Sequence, residues 1–339
     1  MKSLKKILVT GGSGFIGSNL VNFLIKKDFK IYNIDKLSYA STPEKYKYKS
    51  SNYFFKKIDI KYKNYIRSYL NFIRPDYIIH LASESHVDRS IDDPFTFIKN
   101  NIDLNISLYS SILDLNKKCN FNPKILHIST DEVYGSDKKK TFKENDAYNP
   151  TSPYSASKAG GDFIAKSFHH TFGLQVSVLR FCNNYGPFQF IEKFIPTVIL
   201  KILDNKKIPI YATGKNVREW IYVDDTCKSI FEIMKNFKSG EDYNVGSNYR
   251  VSNLELVNNI MDKMNLKNKK KYINFVKDRP AHDFRYALDS KKISKNLSWK
   301  ASISLHSGLK KTINWYQVNY PWLNDMLKRY KGERLGLKK

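Results

Sequence analysis

Two adjacent carboxylates stand directly behind a hydroxyl in the segment Thr130-Asp131-Glu132. The segment follows an apolar run, residues 124–128, and precedes Gly135, and an apolar run bounded by a glycine is typical of a buried strand. In a parallel α/β sheet the strand ends open onto the ligand crevice. Two acids at such a place are costly unless they are used, so the segment indicates proton-transfer chemistry.

A phenol and an ammonium form a second pair. Tyr154 and Lys158 are four residues apart in a helical pattern that follows Pro153, so their side chains lie on one helix face. A free tyrosine has a pKa of about 10, and both a neighbouring cation and an oxidised nicotinamide favour the phenolate. Such a tyrosine can take the proton of a sugar hydroxyl while hydride leaves the same carbon. The alternative is an ordinary surface pair.

A glycine-rich segment near the N-terminus predicts the cofactor and argues against that alternative. Residues 10–17 contain GxGxxG, follow a predicted strand and begin an amphipathic helix, which is the context of a dinucleotide fingerprint. The glycines let the backbone approach a pyrophosphate at the helix N-terminus. Asp35 ends the next strand, 18 residues beyond Gly17, where a carboxylate binds the ribose 2′-hydroxyl and repels a 2′-phosphate. The sequence therefore predicts NAD rather than NADP.

The elements that must position these groups alternate in a βαβ rhythm over the first half of the chain. The predicted strands are residues 6–10, 30–35, 53–58, 77–81, 124–129 and 175–180. The predicted helices are residues 15–27, 62–73, 94–115 and 153–172. With right-handed crossovers these elements give a Rossmann-type, doubly wound parallel sheet, and the fold class is α/β.

The rhythm loosens after residue 180, as expected of a smaller region that covers the substrate. Residues 220–223, 224–235 and 243–245 form one more strand-helix-strand pattern, which we expect to rejoin the main sheet. The two domains are therefore predicted to be interleaved in sequence. The NAD-binding domain takes residues 1–180 plus about 218–247, and the substrate domain takes about 181–217 plus 248–330. Residues 331–339 form a basic tail that we expect to be poorly ordered.

Composition excludes several classes of protein. The net charge is +26, but 48 of the 58 basic residues are lysines spread along the chain, and no nucleic-acid-binding signature accompanies them. The three cysteines are far apart, which argues against a disulfide scaffold or a metal site and favours a reducing compartment. The sequence predicts neither a membrane span, which needs an apolar run of about 18 residues, nor a signal peptide. We expect a cytoplasmic protein without nucleic-acid, membrane or metal partners.

The combined motifs resemble the extended short-chain dehydrogenase/reductase family, whose members act on nucleotide-sugars. Within it, the likeness is to the dTDP-glucose 4,6-dehydratases and extends over nearly the whole chain. It is carried by residues 86–90, 129–135, 152–158, 183–187 and 278–280. Related epimerases and decarboxylases usually have Ser or Ala at the position of Asp131, so the acid pair is the most discriminating motif.

The resemblance implies a dehydration that yields dTDP-4-keto-6-deoxyglucose, as in rhamnose-type deoxysugar biosynthesis. Tyr154, aided by Lys158, would take the C4 hydroxyl proton while hydride passes to NAD, and Thr130 would hydrogen-bond the C4 oxygen. Glu132 would remove the C5 proton, and Asp131 would protonate the departing C6 hydroxyl. Hydride return to C6 regenerates NAD in each turnover, so the cofactor would stay tightly bound.

The resemblance also implies the binding residues. Those expected to contact NAD are Gly11, Gly14, Phe15, Ile16, Gly17, Asp35, Lys36, Leu37, Ser38, Asp59, Ile60, Leu81, Ala82, Ser83, Ser85, Asn100, Tyr154, Lys158 and Asn184. Those expected to contact the nucleotide-sugar are Ser85, Thr130, Asn183, Lys193, Phe194, Pro209, Tyr211, Arg218, Asn253, Asp278, Arg279 and His282. Arg218 is the chemically credible diphosphate clamp.

The sequence differs from the family pattern at several positions, and it leaves two alternative functions open. Asn100 replaces a common Thr near the cofactor, Ala281 replaces a usual Gly in a substrate loop, and Ser298 stands where a Gly is expected. The loop at residues 137–140 is short for the family. The alternatives are the same reaction on UDP-glucose or another nucleotide-hexose, and a 4-epimerase or decarboxylase. The resemblance also implies a homodimer that pairs the long helices at residues 94–115 and 153–172.

Overall fold

The structure is a computed structural model that describes residues 4–46 and 49–330. The predicted basic tail, 331–339, lies outside the described residues. The strands are β1 (Lys5–Thr10), β2 (Phe29–Asp35), β3 (Tyr53–Lys57), β4 (Tyr77–His80), β5 (Lys124–Thr130), β6 (Val176–Phe181), β7 (Asn183–Tyr185), β8 (Ile208–Tyr211), β9 (Val217–Tyr222), β10 (Asp242–Val245), β11 (Arg250–Ser252) and β12 (Ile273–Val276). The helices are α1 (Phe15–Leu24), α2 (Lys63–Ile73), α3 (Val87–Asp92), α4 (Pro94–Cys119), α5 (Pro153–Phe172), α6 (Phe194–Leu203), α7 (Val223–Lys235), α8 (Asn253–Lys263), α9 (Lys269–Tyr272), α10 (Lys291–Leu297), α11 (Leu305–Val318) and α12 (Tyr320–Leu327).

Seven strands form one parallel sheet in the order β3-β2-β1-β4-β5-β6-β10. Its central strands are buried on both faces: Ile7 and Val9 of β1 pack into a core with α1 and α7, and Leu8 packs into the opposite core with α2, α4 and α5. Burial on both faces is what makes parallel strands read as continuous apolar runs. The predicted doubly wound sheet is confirmed.

The predicted strand-helix-strand unit at residues 220–245 divides between two sheets. β10 pairs with β6 and rejoins the main sheet, as predicted. β9 does not, because it pairs with β7 and β11 in a separate three-stranded sheet, so that part of the prediction is wrong. Alternate side chains explain the position of β9: Trp220 and Tyr222 pack into a second core while Ile221 packs into the first. β9 is therefore the seam between the cores.

The second core is built from α6, α8, α11 and α12. It also receives a loop of the predicted NAD-binding domain, because Tyr39, Ala40 and Tyr46 pack against it. Two hydrogen bonds fix this loop to α12: Trp322 Nε1 donates to Thr42 Oγ1 at 3.3 Å, and the Tyr46 hydroxyl donates to Asp325 at 2.9 Å. The loop after β2 thus joins both halves of the molecule, and the domain division stays a prediction.

The ends of α5 follow from its sequence. Ser152 caps the helix reciprocally with Ser155, Pro153 occupies the first turn, and Gly173 ends the helix with a φ of 70°. α5 therefore begins with Tyr154 fixed in its first turn. α4 continues to Cys119, beyond the predicted residue 115, and ends at the left-handed Asn120. No helix within residues 4–46 and 49–330 is long and apolar enough to cross a membrane.

Candidate active site

The carboxyl ends of the central strands of the main sheet open onto one cavity of about 260 Å³. Seventeen of the residues predicted to bind the cofactor line it: Gly11, Gly14, Phe15, Ile16, Gly17, Asp35, Lys36, Ser38, Asp59, Ile60, Leu81, Ala82, Ser83, Ser85, Asn100, Tyr154 and Lys158. Two predicted residues do not. Leu37 is turned to the surface, and the Asn184 side chain bonds to Cys182 and Thr226 beneath β7.

Two glycines of the fingerprint have no room for a side chain. Gly11 has a φ of +72°, and a Cβ atom there would lie 2.7 Å from the backbone nitrogen of Ala82. A Cβ at Gly17 would lie 2.2 Å from the carbonyl oxygen of Gly11. The turn therefore brings bare backbone to the cavity wall at the start of α1, which is the arrangement that a pyrophosphate requires.

Asp35 ends β2 at the cavity and is held on both carboxylate oxygens. Oδ2 accepts from the backbone N–H of Ser13 at 3.0 Å, and Oδ1 accepts from the N–H of Leu37 at 2.7 Å. These bonds fix the carboxylate beside the glycine turn, where a ribose hydroxyl would meet it.

A second set of lining residues was not predicted. Tyr39, Gln189, Phe190 and Glu192 close the cavity from the side of the second core. The Tyr39 hydroxyl donates to Glu192 at 2.6 Å, Arg89 Nη2 pairs with Glu192 at 2.9 Å, and the Arg89 guanidinium lies 4.1 Å from the Tyr39 ring centroid. We call these three residues the clasp. They lie in different segments without a shared motif, so their sequence spacing gave no signal.

Tyr154 and Lys158 lie together at the floor of the cavity, both buried. The Lys158 ammonium donates to the carbonyl oxygen of Ile128 at 2.8 Å, and burial lowers its pKa to about 8. Burial, followed by the charge of Glu132, raises the pKa of Tyr154, whereas a hydrogen bond from Thr130 lowers it. Burial and the neighbouring carboxylates thus favour the neutral phenol, and the expected shift towards the phenolate, which also depends on an oxidised nicotinamide, stays a prediction.

Asp131 is set up as a neutral acid. It is 2% exposed, and its Oδ2 has no hydrogen-bond partner among the described residues, while Oδ1 accepts from Thr130 at 3.2 Å. Burial, then the charges of Glu132 and Glu219, raise its pKa well above the ordinary value. Glu219 is itself fully buried and pairs with Arg250 at 2.8 Å.

Glu132 has different surroundings although it is the next residue. Burial raises its pKa and the charge of Asp283 adds to the rise, but the charges of Arg279, Arg218 and Lys193 act against it. β9 contributes Glu219, whose charge raises the pKa of Asp131, and Arg218, whose charge lowers the pKa of both carboxyls. Neighbouring carboxyls whose environments differ in this way can act as an acid and a base in one reaction.

The predicted diphosphate side of the site is a network of charges around Asp88. The Arg279 guanidinium pairs with Asp88, and the Tyr211 hydroxyl donates to the same carboxylate at 3.1 Å. His282 lies against the Tyr211 ring and 2.6 Å from Asp278. Asp88 lies within the motif at residues 86–90, but its role in holding Arg279 was not predicted.

The other predicted substrate residues are spread around this network. Lys193 precedes α6 and its ammonium donates to the carbonyl of Ser85 at 2.6 Å, while Phe194 stacks on Trp220. Pro209 lies two residues before Tyr211 on β8, so both point to the same face. Asn183 begins β7, and Asn253 begins α8. Their contacts with a substrate stay predictions.

The sequence model of the GDP-mannose 4,6-dehydratase family matches residues 8–312. A probable dTDP-glucose 4,6-dehydratase of Sinorhizobium fredii is 44% identical over 98% of this chain and 99% of its own length. A dTDP-glucose 4,6-dehydratase of Escherichia coli K12 is 40% identical over 95% of each chain. The chain belongs to the family of nucleotide-sugar 4,6-dehydratases. The predicted family membership is thereby confirmed.

Solved structures extend the likeness of this 4,6-dehydratase family member to the fold. The dTDP-glucose 4,6-dehydratase of Streptomyces venezuelae, solved with NAD and dTDP, has a TM-score of 0.87 and 35% identity over 94% of this chain and 98% of its own. The UDP-glucose 4-epimerase of Thermotoga maritima, solved with UDP-glucose, has a TM-score of 0.84 and 26% identity over 92% and 98%. The fold is therefore shared between dehydratases and epimerases, and the site must distinguish them.

Proposed function

We propose that the protein converts dTDP-glucose to dTDP-4-keto-6-deoxyglucose by NAD-dependent dehydration. One observation carries this proposal: Asp131 and Glu132 lie at the end of β5, and the pKa of Asp131 is raised well above its ordinary value while three cations oppose the rise at Glu132. Epimerisation at C4 has no use for such a pair, whereas elimination of water needs both an acid and a base. The curated relatives named above, which carry this activity in their names, support the choice of substrate.

The cavity is suited to NAD on the chain's own geometry. The bare backbone at Gly11 and Gly17 suits a pyrophosphate, and Asp35 suits an unphosphorylated ribose. Bound NAD would supply a hydride acceptor that is restored in each turnover and a nicotinamide cation that favours the phenolate of Tyr154.

The side chains then divide the proton transfers among themselves. Tyr154 takes the proton of the C4 hydroxyl, and Thr130 hydrogen-bonds the C4 oxygen. Lys158 places a cation on the same face of α5, which favours the phenolate of Tyr154. Glu132, with three cations nearby, is the carboxylate that takes the C5 proton. Asp131, kept neutral by burial and by Glu219, gives its proton to the departing C6 hydroxyl. Acid and base catalysis of this kind contributes about 10²- to 10⁴-fold for each group.

The diphosphate is assigned to the cations beside Glu132. Arg218 is buried and points its guanidinium at the carbonyl of Asp283 at 2.9 Å, and Arg279 is held by Asp88. Arginine is well suited to bind phosphate in a fixed geometry. Ala281, in the adjacent loop, is where this chain departs from the family pattern, and a UDP-glucose-specific variant of the reaction is the runner-up.

A product assay tests the proposal. The purified protein is incubated with dTDP-glucose, UDP-glucose and GDP-mannose, and the products are identified by mass and NMR. We expect loss of one water from dTDP-glucose without net formation of NADH. A product of unchanged mass and inverted C4 stereochemistry would instead identify an epimerase, and preference for UDP-glucose would identify the runner-up.

A homodimer is also proposed, formed through α4 and α5. Phe95, Ile98 and Ile106 of α4 are exposed at helical spacing, and Phe163 of the adjacent α5 is 59% exposed. A second copy that covers this surface would bury these side chains, as the family resemblance implies. Contiguous exposed apolar surface of this kind commonly marks an interface.

Light scattering of a variant with one introduced charge tests the dimer. Phe163→Glu should give a monomer, because a carboxylate would be buried in the proposed interface. Phe72→Glu, at a 79% exposed position on α2, is the matched control and should leave the dimer intact. A monomeric wild-type protein would contradict the proposal.

A cytoplasmic location is proposed as well. Cys119, Cys182 and Cys227 are all free thiols, which suits a reducing compartment. Fractionation of cells that produce the protein should place it with soluble cytoplasmic markers.

A further inference from the structure

A line of hydrogen-bonding groups leads away from Glu132. The Tyr286 hydroxyl lies 3.5 Å from Glu132 Oε2 and donates to Asp283 Oδ2 at 2.6 Å. The same Asp283 oxygen accepts from Thr151 Oγ1 at 2.5 Å. Tyr286 and Asp283 are buried, and Thr151 is exposed. The line therefore joins the proposed base to the protein surface.

The members of this line are held rigidly. The Arg218 guanidinium lies 4.3 Å from the ring centroid of Tyr286. The backbone carbonyl of Asp283 accepts from Arg218 Nη2 at 2.9 Å and from Asn216 Nδ2 at 3.1 Å. Burial and the neighbouring carboxylates raise the pKa of Tyr286 well above its ordinary value, so the phenol keeps its proton. A neutral phenol can accept one hydrogen bond while it donates another.

We propose that Tyr286 and Asp283 form a proton relay that ends beside the exposed Thr151 hydroxyl and through which Glu132 exchanges the substrate's C5 proton with solvent. The proposal rests on the proposed role of Glu132 as the C5 base. It adds positioning and relay residues that the sequence motifs did not include.

The transfer is balanced at each atom. Glu132 takes the C5 proton and becomes a carboxylic acid, which gives a proton to the Tyr286 oxygen as Tyr286 gives its own proton to Asp283 Oδ2. Asp283, now protonated, returns a proton to solvent beside the exposed Thr151 hydroxyl. One proton enters and one leaves, and the reverse sequence restores a proton for the return to C5.

The relay matters when the nucleotide-sugar covers Glu132. A proton trapped on Glu132 could only return to the carbon from which it came. The line through Tyr286 ends at the exposed Thr151, in the loop that precedes α5. Exchange with solvent can then occur while the substrate is in place.

An isotope experiment on the NAD-loaded protein tests the relay. Protiated dTDP-glucose is converted in D₂O under single-turnover conditions, and NMR gives the ratio of deuterium to protium at C5 of the product. The wild-type product should carry solvent deuterium at C5. Tyr286→Phe should still form product but keep the substrate's protium, with the ratio reduced about tenfold or more because a relay proton is missing.

Two further variants keep the test decisive. Asp283→Asn preserves an acceptor for Tyr286 but cannot take a proton, so it should lower the ratio in the same way even if Tyr286→Phe does not fold. Tyr134→Phe is the matched control, because this buried hydroxyl two residues from Glu132 donates to Asn244 at 2.9 Å, off the line. It should leave the wild-type ratio unchanged. Product made in H₂O is also incubated with the enzyme in D₂O. The deuterium that it gains at C5 measures exchange after product release, and this amount is subtracted from the single-turnover value.

The outcomes separate the relay from the base assignment. Wild-type labelling in both Tyr286→Phe and Asp283→Asn overturns the relay, whether or not turnover falls, because slower turnover alone indicates only a structural contribution. Retention of protium by the wild-type protein also overturns it. Removal of the C5 proton at the normal rate by Glu132→Gln would instead refute Glu132 as the base.

Discussion

At the scale of residues, the site depends on a contrast between neighbours. Asp131 and Glu132 are adjacent in sequence and burial raises the pKa of both, but Glu219 adds to the rise at Asp131 whereas three cations oppose the rise at Glu132. The short 3₁₀ helix that holds both begins at Thr130, whose hydroxyl caps the Glu132 N–H at 3.3 Å. The tight turn lets consecutive side chains point in different directions. Two chemical roles follow from one dipeptide.

Asp131→Asn should separate the steps of the reaction. The amide keeps the shape of the side chain but cannot donate a proton to the C6 oxygen, so elimination should slow by about 10²-fold or more. The initial C4 oxidation should be nearly unchanged. Rapid-quench analysis of C4 oxidation and of water loss checks this, and an equal decrease of both steps would show that the acid is misassigned.

The same pair predicts a bell-shaped pH profile for elimination. Glu132 acts ionised, so the rate falls as the pH drops through its pKa. Asp131 acts protonated, and because its pKa is raised it keeps its proton to higher pH than an ordinary carboxyl; the rate falls as the pH rises through that pKa. Single-turnover elimination measured against pH should show both limbs. Asp131→Asn should remove the alkaline limb, and its persistence would assign that limb to another group.

At the scale of elements, two departures from the family pattern have a structural cost. Ala281 has a φ of 49°, and Ser298, which ends α10, has a φ of 53°. Both residues occupy the left-handed region in which glycine is favoured, which explains why the family pattern has glycine at each position. The sequence identified these positions, but only the backbone shows why a methyl or a hydroxymethyl group there is unfavourable.

Ser298→Gly should stabilise the protein by about 1 kcal/mol, because glycine adopts the left-handed helix end without strain. Urea unfolding followed by circular dichroism measures the change. Ser298→Ala is the control and should not be more stable than the wild type, since alanine keeps the same backbone strain. Equal stabilisation by both variants would attribute the effect to the hydroxyl instead.

Local patterns predicted the parts of the fold and site that local chemistry determines. The glycine turn, Asp35 and the Tyr154–Lys158 spacing each depend on a few adjacent residues and one strand or helix. The clasp and the Glu132–Tyr286–Asp283 line bring together segments that are far apart in the chain, so no sequence window contains them. β9 was assigned to the wrong sheet because its alternation serves two cores at once.

At the scale of the whole molecule, the cofactor cavity lies between the two cores. The sheet supplies its floor, and the loop at residues 39–46, docked on α12, meets the loop before α6 across it. Tyr39, Glu192 and Arg89 join the two sides, and the Glu192 side chain is only 3% exposed. Release of a ligand from the cavity would require these hydrogen bonds to break.

Glu192→Gln should therefore accelerate release of bound NAD by about tenfold, because the charged hydrogen bonds of the clasp weaken. The exchange of bound NAD for labelled NAD measures this rate. Tyr46→Phe is the control, since it removes a tyrosine hydroxyl of the same loop that bonds to Asp325 rather than to the clasp. Equal acceleration in both variants would mean that the loop as a whole, rather than the clasp, retains the cofactor.

The clasp has a consequence for the behaviour of the protein in a cell. An enzyme that keeps its oxidant is indifferent to the surrounding ratio of NAD to NADH, because oxidation and reduction cancel within one catalytic cycle. Such an enzyme is vulnerable when a catalytic cycle stops before hydride returns to the substrate. If the 4-keto intermediate escapes, the reduced cofactor would remain in the cavity behind the clasp, and the molecule would be inactive until the clasp opens.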